Sequence, residues 1–268
     1  MKIIENSKLS KIPLISQNVD NTANVAYKVN PPLEAMNSFS YIVGSAGSGK
    51  SSLFLAMLCS RPTMKKPDQP RWFYKYYDHI YLISASLQSL PLNKLNLNEN
   101  RIFNKYSDEI LQDIIDTEKE DEDNNNCLIV LDDVIKSIKK SATLCKAILN
   151  RRHILTNPDG DGSAGCSVWI LSQRYNELPL TFRCNASSIY LFRTDNKKEL
   201  DSIKDELMSD LSKEQQNEVL KLAWKDKYSF LLILNNKPTN ERYYQRFNKI
   251  IINEDDVDEG VEVSKISN

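Results

Sequence analysis

Phe39-Ser40-Tyr41-Ile42-Val43-Gly44-Ser45-Ala46-Gly47-Ser48-Gly49-Lys50-Ser51-Ser52-Leu53-Phe54-Leu55-Ala56-Met57-Leu58 reads as a buried strand, a glycine loop and a helix. In that setting Gly44 to Ser51 is a phosphate-binding P-loop. The chain holds only 7 glycines in 268 residues, and three of them, Gly44, Gly47 and Gly49, fall where backbone amides must approach an anion with no Cβ in the way. Amides of Gly44, Ser45, Ala46, Gly47, Ser48 and Gly49, with the helix start at Lys50, Ser51 and Ser52, are expected to surround a triphosphate. Lys50 reaches the β and γ phosphates in such a loop, and the Ser51 hydroxyl is a ligand to Mg²⁺. A Ser/Gly-rich hairpin turn is the bland alternative, but no alternating strand follows the loop.

The chain is long enough for one large α/β domain or two small ones. A formal net charge of -1 gives no overall basic signature, so contact with nucleic acid has to come from local clusters or from several copies. The longest apolar runs, such as Phe230-Leu231-Leu232-Ile233-Leu234, are strand-sized. Met1-Lys2-Ile3-Ile4-Glu5-Asn6 lacks the apolar core of a signal peptide. An intracellular, non-spanning protein is therefore expected. Cys59, Cys127, Cys145, Cys166 and Cys184 form no C-x-x-C pair, and they read as reduced core thiols.

Residues 1–37 are expected to form an extended arm, 38–252 the P-loop domain and 253–268 an acidic, disordered tail. Lys65 to Tyr77 mixes basic and aromatic residues. It reads either as a nucleic-acid contact by cations and stacking rings or as a loop whose aromatics tuck under the next strand. Strands are expected at His79 to Ser84, Cys127 to Leu131, Ser167 to Ser172, Ser188 to Phe192 and Tyr228 to Leu234. Helices are expected around Ile110 to Ile115, across Val134 to Leu149, around Leu200 to Leu207, and after a Ser212/Gln215 capping box. Glu118 to Asn126 reads as a solvated charged loop, and Asn157 to Gly165 as a mobile one.

Alternating apolar strands and helices predict a mostly parallel sheet flanked by helices, with the strand carboxyl ends sharing one edge. The fold class expected is a P-loop NTPase of the RecA-like, additional-strand type. The P-loop, Asp132-Asp133 and Gln173 all stand at such ends and should converge. Asp132 is assigned to Mg²⁺ through water, and Asp133 to activating the attacking water as a general base. A solvated helix start is the bland reading of this pair. Gln173 is placed to hydrogen-bond the γ phosphate or the attacking water. Arg151 and Arg152 read either as charges at a helix carboxyl end or as the external guanidinium that many P-loop hydrolases need.

The P-loop, Leu131-Asp132-Asp133, Arg151-Arg152-His153, Ser172-Gln173-Arg174 and Pro179 to Asn185 come in the order seen in poxvirus-type genome-packaging ATPases. This group lies within the FtsK and HerA-like superfamily of DNA translocases, and the chain resembles it over roughly residues 38 to 250. By that resemblance Arg152 is a finger reaching a neighbour's ATP, Gln173 a sensor and Arg183 a second interface candidate. The inserted Asn157 to Gly165 departs from the pattern and keeps Arg151 as an alternative finger. The resemblance implies ATP and Mg²⁺, a hexameric ring, double-stranded DNA as the load and a capsid vertex or portal as partner. It also implies a place in the host cytoplasm, in the virus factory and with the virion. Two other readings share the P-loop: a small-molecule kinase, and a nucleotide-gated assembly protein with little hydrolysis. A GTPase switch is disfavoured, because Asn236-Lys237-Pro238-Thr239 lacks the aspartate that reads guanine.

Overall fold

A computed structural model describes residues 29–34, 37–60, 72–90, 95, 97–121, 126–155 and 165–252. Most of the amino-terminal arm, Lys65 to Arg71 of the basic-aromatic segment, most of the Asn157 to Gly165 insertion and the acidic tail lie outside the described residues. The strands are β1 (Phe39–Val43), β2 (His79–Ser84), β3 (Ile102–Phe103), β4 (Asn126–Asp132), β5 (Gly165–Ser172), β6 (Ser188–Phe192), β7 (Phe230–Leu234), β8 (Tyr243–Gln245) and β9 (Asn248–Lys249). They form one sheet in the order β3-β2-β4-β5-β1-β6-β7-β8-β9. Pairing is parallel from β3 to β6 and antiparallel from β6 onward.

The three central strands β1, β4 and β5 are buried at every position, as near-continuous apolar runs in a doubly covered sheet should be. One face packs under α2 (Asp108–Glu120), α3 (Ile135–Ile138), α4 (Ala142–Leu149), α5 (Leu180–Arg183), α6 (Lys197–Leu207) and α7 (Lys213–Ala223). The other is covered by α1 (Lys50–Cys59) and by Phe73, Tyr76 and Tyr77. Those rings stack on one another and on Trp169 of β5, so the tucked-under reading holds for them and they present no face to nucleic acid.

Three expectations change. Val134 to Leu149 is two helices, because the Ser141 hydroxyl accepts from Leu144 N at 2.9 Å and starts a new one. Glu118 is buried in α2, and Asn126 is buried at the start of β4. Tyr228 lies in a turn, with β7 starting at Phe230. The Ser212/Gln215 capping box is present at α7. All five cysteines are free, Cys127 and Cys166 being buried and Cys184 exposed.

Candidate nucleotide site

The P-loop strand and the Asp132 strand are not neighbours. β5 lies between them, with Val43 opposite Ser172 and Leu171 opposite Asp132. Gln173 therefore leaves the sheet between the glycine loop and the two aspartates, as expected of an additional-strand fold. Its Nε2 donates to Asp133 Oδ1 at 3.4 Å, joining two of the side chains expected to be catalytic.

Local sequence fixes the loop. Gly44 N donates to Ser172 O at 3.1 Å, tying the loop to β5. A Cβ on Gly44 would lie 2.5 Å from Ser48 Oγ and 2.7 Å from Phe192 Cβ, so only glycine fits there. Gly49 caps α1 at φ 107°, with no acidic residue in the first turn of α1. The positive end of α1 thus faces the loop without a carboxylate of its own to offset it. Ser48 Oγ is buried without a partner, a polar atom still to be satisfied inside the cradle. Lys50 Nζ donates to Gly44 O at 2.6 Å and Ser45 O at 3.1 Å, so the ammonium already lies over the loop. Burial lowers its pKa from the ordinary lysine value, against the pull of Asp132, Asp133 and Glu177. The helix end, the half-buried cation and the unsatisfied hydroxyl together fit a polyanion.

Asp132 is buried at the end of β4, and Ser84 Oγ of β2 donates to its Oδ2 at 3.0 Å. Burial raises its pKa from the ordinary aspartate value, and Asp133 adds to the rise. The Ser84 hydrogen bond and Lys50 oppose it. Asp133 is exposed with a left-handed backbone, φ 57°, which an L-residue adopts at a cost of about 1 kcal/mol. Among the described residues no group of three or more His, Cys, Asp or Glu is placed to hold a metal ion. Ser51 and Asp132 are the side chains that would hold Mg²⁺. So few protein ligands suit an ion that keeps its waters and shares a substrate's phosphates. Sequence reasoning missed Ser84, a residue at the end of an apolar strand with no motif to mark it.

The arginines separate. Arg151 Nε donates to Asn37 O at 2.7 Å, Nη1 to Ile148 O at 2.9 Å and Nη2 to Ser187 Oγ at 3.4 Å. Asn37 and Ser187 precede β1 and β6, so Arg151 and the exposed Arg152 beside it stand at the amino edge of the sheet, opposite the P-loop. Arg183 is buried, with Nε and Nη2 on Glu206 of α6 at 3.0 and 2.6 Å and Nη1 on Leu178 O. Its guanidinium lies 4.7 Å from the centre of the Tyr175 ring.

Among solved structures, the genome packaging NTPase B204 from Sulfolobus turreted icosahedral virus 2 shares this fold. In complex with ATP-gammaS it is 15% identical, with TM-score 0.55, over 80% of this chain and 98% of that one. In complex with sulfate it is 18% identical, with TM-score 0.55, over 82% and 100%. B204, the DNA-packaging ATPase from Sulfolobus Turreted Icosahedral Virus, is 16% identical, with TM-score 0.54, over 80% and 99%. The chain has the P-loop NTPase fold of these viral proteins, in agreement with the resemblance carried by its motifs. No protein-family profile matches the chain, and no curated protein does.

Proposed function

We propose that the chain is the ATP-hydrolysing subunit of a motor that moves double-stranded DNA into a viral capsid, and that it works as a hexameric ring. The observation that carries this reading is the division of chemistry between the two edges of the sheet. Lys50, Ser51, Asp132, Asp133 and Gln173 gather at the carboxyl edge, and Arg152 stands at the amino edge. Arg152 lies at the edge away from its own subunit's P-loop, so a finger role for it would be exercised on a neighbouring copy. The shared fold with viral packaging NTPases supports the choice of cargo and of a capsid vertex as partner.

On this reading the loop amides and Lys50 bind the triphosphate, while Ser51 and Asp132 would hold Mg²⁺, which would supply electrostatic stabilisation of phosphate charge. Asp133 orients the attacking water and takes its proton. Gln173, bonded to Asp133, aligns that carboxylate according to whether a γ phosphate is present. The neighbouring copy's Arg152 stabilises charge on the transferring phosphoryl group. Of the predicted residues, Arg183 is committed to Glu206 within its own chain, so we assign it to holding α5 and α6 together.

Phosphate release measured over a range of protein concentrations, with and without long double-stranded DNA, tests the proposal. Turnover per subunit should rise steeply with concentration and rise again with DNA. Turnover that ignores both would defeat the motor reading.

A further inference from the structure

A cleft of about 600 Å³ opens beside the P-loop on the side away from Asp132, continuous with Gly47, Gly49 and Lys50. Its walls are Leu53 of α1, Phe192, Tyr228, Phe230 and the hairpin turn Arg246-Phe247. Two of these residues hold left-handed backbones, Tyr228 at φ 61° and Arg246 at φ 54°. Neither is a glycine: Arg246 opens the two-residue turn between β8 and β9, whose geometry asks for a positive φ there, and Tyr228 stands in the turn closed by Ser229 N on Asp226 O at 3.1 Å, so the two turns fix where these side chains stand. Tyr228 is 56% exposed in a chain that buries most of its large rings. Phe247 is held from two sides, edge-on to Trp72 at 4.7 Å and to Phe230 at 5.4 Å. The cleft is thus lined by an exposed tyrosine and by a braced phenylalanine beside a guanidinium, and its volume of about 600 Å³ is ample for a flat heterocycle.

We infer that this cleft takes the nucleobase of the bound nucleotide, holds it by stacking on Tyr228 and Phe247 with Arg246 over the ring, and accepts purines without choosing between adenine and guanine. This rests on the reading of the P-loop as a nucleotide site. The specificity follows from the chemistry of the walls. Discrimination between purines needs side chains that read the base edge as donors and acceptors. The polar side chains lining the cleft are Lys50, Ser51, Ser52, Arg246 and, by its hydroxyl, Tyr228. Lys50 and Ser51 belong to the phosphate end, and arginine carries donors only, leaving the Ser52 and Tyr228 hydroxyls, each able to rotate and either donate or accept, so that neither is committed to the edge of adenine over that of guanine. A ring face, by contrast, is common to every base.

The test is equilibrium binding of Mg-ATP, Mg-GTP, Mg-CTP and inorganic Mg-tripolyphosphate to the full chain, followed by tryptophan fluorescence, since Trp72 touches Phe247. Tyr228→Asn removes the ring while suiting a left-handed backbone, and Tyr228→Phe keeps the ring. In the unaltered chain ATP and GTP should bind within about 10-fold of each other, with CTP weaker because its single ring stacks less. Tyr228→Asn should weaken ATP and GTP alike by about 10-fold and leave tripolyphosphate unchanged, and Tyr228→Phe should restore both. Unchanged ATP affinity in Tyr228→Asn, equal losses of ATP and tripolyphosphate, or a preference between purines above about 100-fold would overturn the inference. If the unaltered chain bound none of the four probes, the nucleotide reading itself would fall. Tripolyphosphate binding with no added contribution from a base would overturn the cleft alone.

Discussion

The sharpest consequence of the divided site concerns Arg152. Asn37, to which neighbouring Arg151 is bonded, and Gly44 stand at opposite ends of β1, roughly 20 Å apart at about 3.3 Å per residue. No arginine side chain spans that distance, so Arg152 cannot reach the phosphates of its own subunit. Loss of a finger arginine lowers hydrolysis about 10³- to 10⁵-fold, some 4–7 kcal/mol of barrier. Two inactive variants then become informative together. Arg152→Ala keeps a complete P-loop and lacks a finger, whereas Lys50→Ala lacks the P-loop cation and keeps its finger.

In an equal mixture of the two, half the sites belong to Arg152→Ala subunits and half of those face a Lys50→Ala neighbour. Activity of about one quarter of the unaltered protein should reappear, from parts that are each nearly inactive. Phosphate release is the assay, at a protein concentration where turnover per subunit of the unaltered chain has levelled off. A mixture no more active than the sum of its two components refutes the reasoning. So does an Arg152→Ala protein that hydrolyses ATP normally by itself.

Other consequences follow from single contacts. Gly44→Ala forces a Cβ to within 2.5 Å of Ser48 Oγ and 2.7 Å of Phe192 Cβ. It should cost about 1–3 kcal/mol in denaturant titration and abolish nucleotide binding, whereas Gly47→Ala, with nothing within 4 Å but φ 75°, should cost about 1 kcal/mol; equal costs would contradict the packing argument. Asp132 has a pKa raised by burial, so its protonated form is favoured in the folded chain. The stability it contributes is present below the ordinary aspartate range and lost as pH rises through the raised value. Asp132→Asn should therefore be inactive yet melt higher than the unaltered chain at pH 8, with the difference closing toward pH 4, and a lower melting point at pH 8 would be the wrong sign. Removing the opposing hydrogen bond by Ser84→Ala should raise the pKa of Asp132 further and move the acid limb of hydrolysis to higher pH. Arg183→Ala should lower stability by roughly 2–3 kcal/mol, below the cost for a fully buried pair because Glu206 is 24% exposed.

What could be read from sequence and what could not divide along physical lines. The P-loop, Asp132-Asp133 and Gln173 were legible because each ends an apolar run, and parallel strands send all their carboxyl ends to one edge. Glu118 misled because it opens a charged tract. Its spacing from Leu111, Ile114 and Ile115 nevertheless places it on the buried stripe of α2, where His79 Nδ1 at 2.8 Å and the Tyr81 hydroxyl at 2.6 Å meet its carboxylate. A stripe of period 3.6 outranked local polarity. The commitment of Arg183 was invisible because Glu206 comes from another helix. β8 and β9 are three and two residues long, too short for periodicity to show. No residue type in Lys227-Tyr228-Ser229 or Gln245-Arg246-Phe247 announces a left-handed backbone.

Those two turns owe their position to a reversal of strand direction. β7 runs antiparallel to β6, with Phe230 opposite Phe192 and Leu234 opposite Ser188. The residues before β7 therefore lie at the carboxyl edge, and a parallel β7 would have left Tyr228 at the amino edge with Arg152. β8 reverses again, with Gln245 opposite Leu231, which returns the Arg246-Phe247 turn to the same edge. The parallel half of the sheet supplies the groups we propose to bind and hydrolyse the triphosphate, and the antiparallel half supplies the cleft beside them. The two halves meet at β6, where Phe192 touches both. Its Cβ sets the space at Gly44, and its ring lies 3.4 Å from where a Gly49 Cβ would be while forming a wall of the cleft. Phe192→Leu keeps bulk near the backbone and removes the ring edge. It should therefore weaken ATP binding more than tripolyphosphate binding, and isothermal titration with both ligands would separate that result from a collapse of the loop, in which the two losses would match.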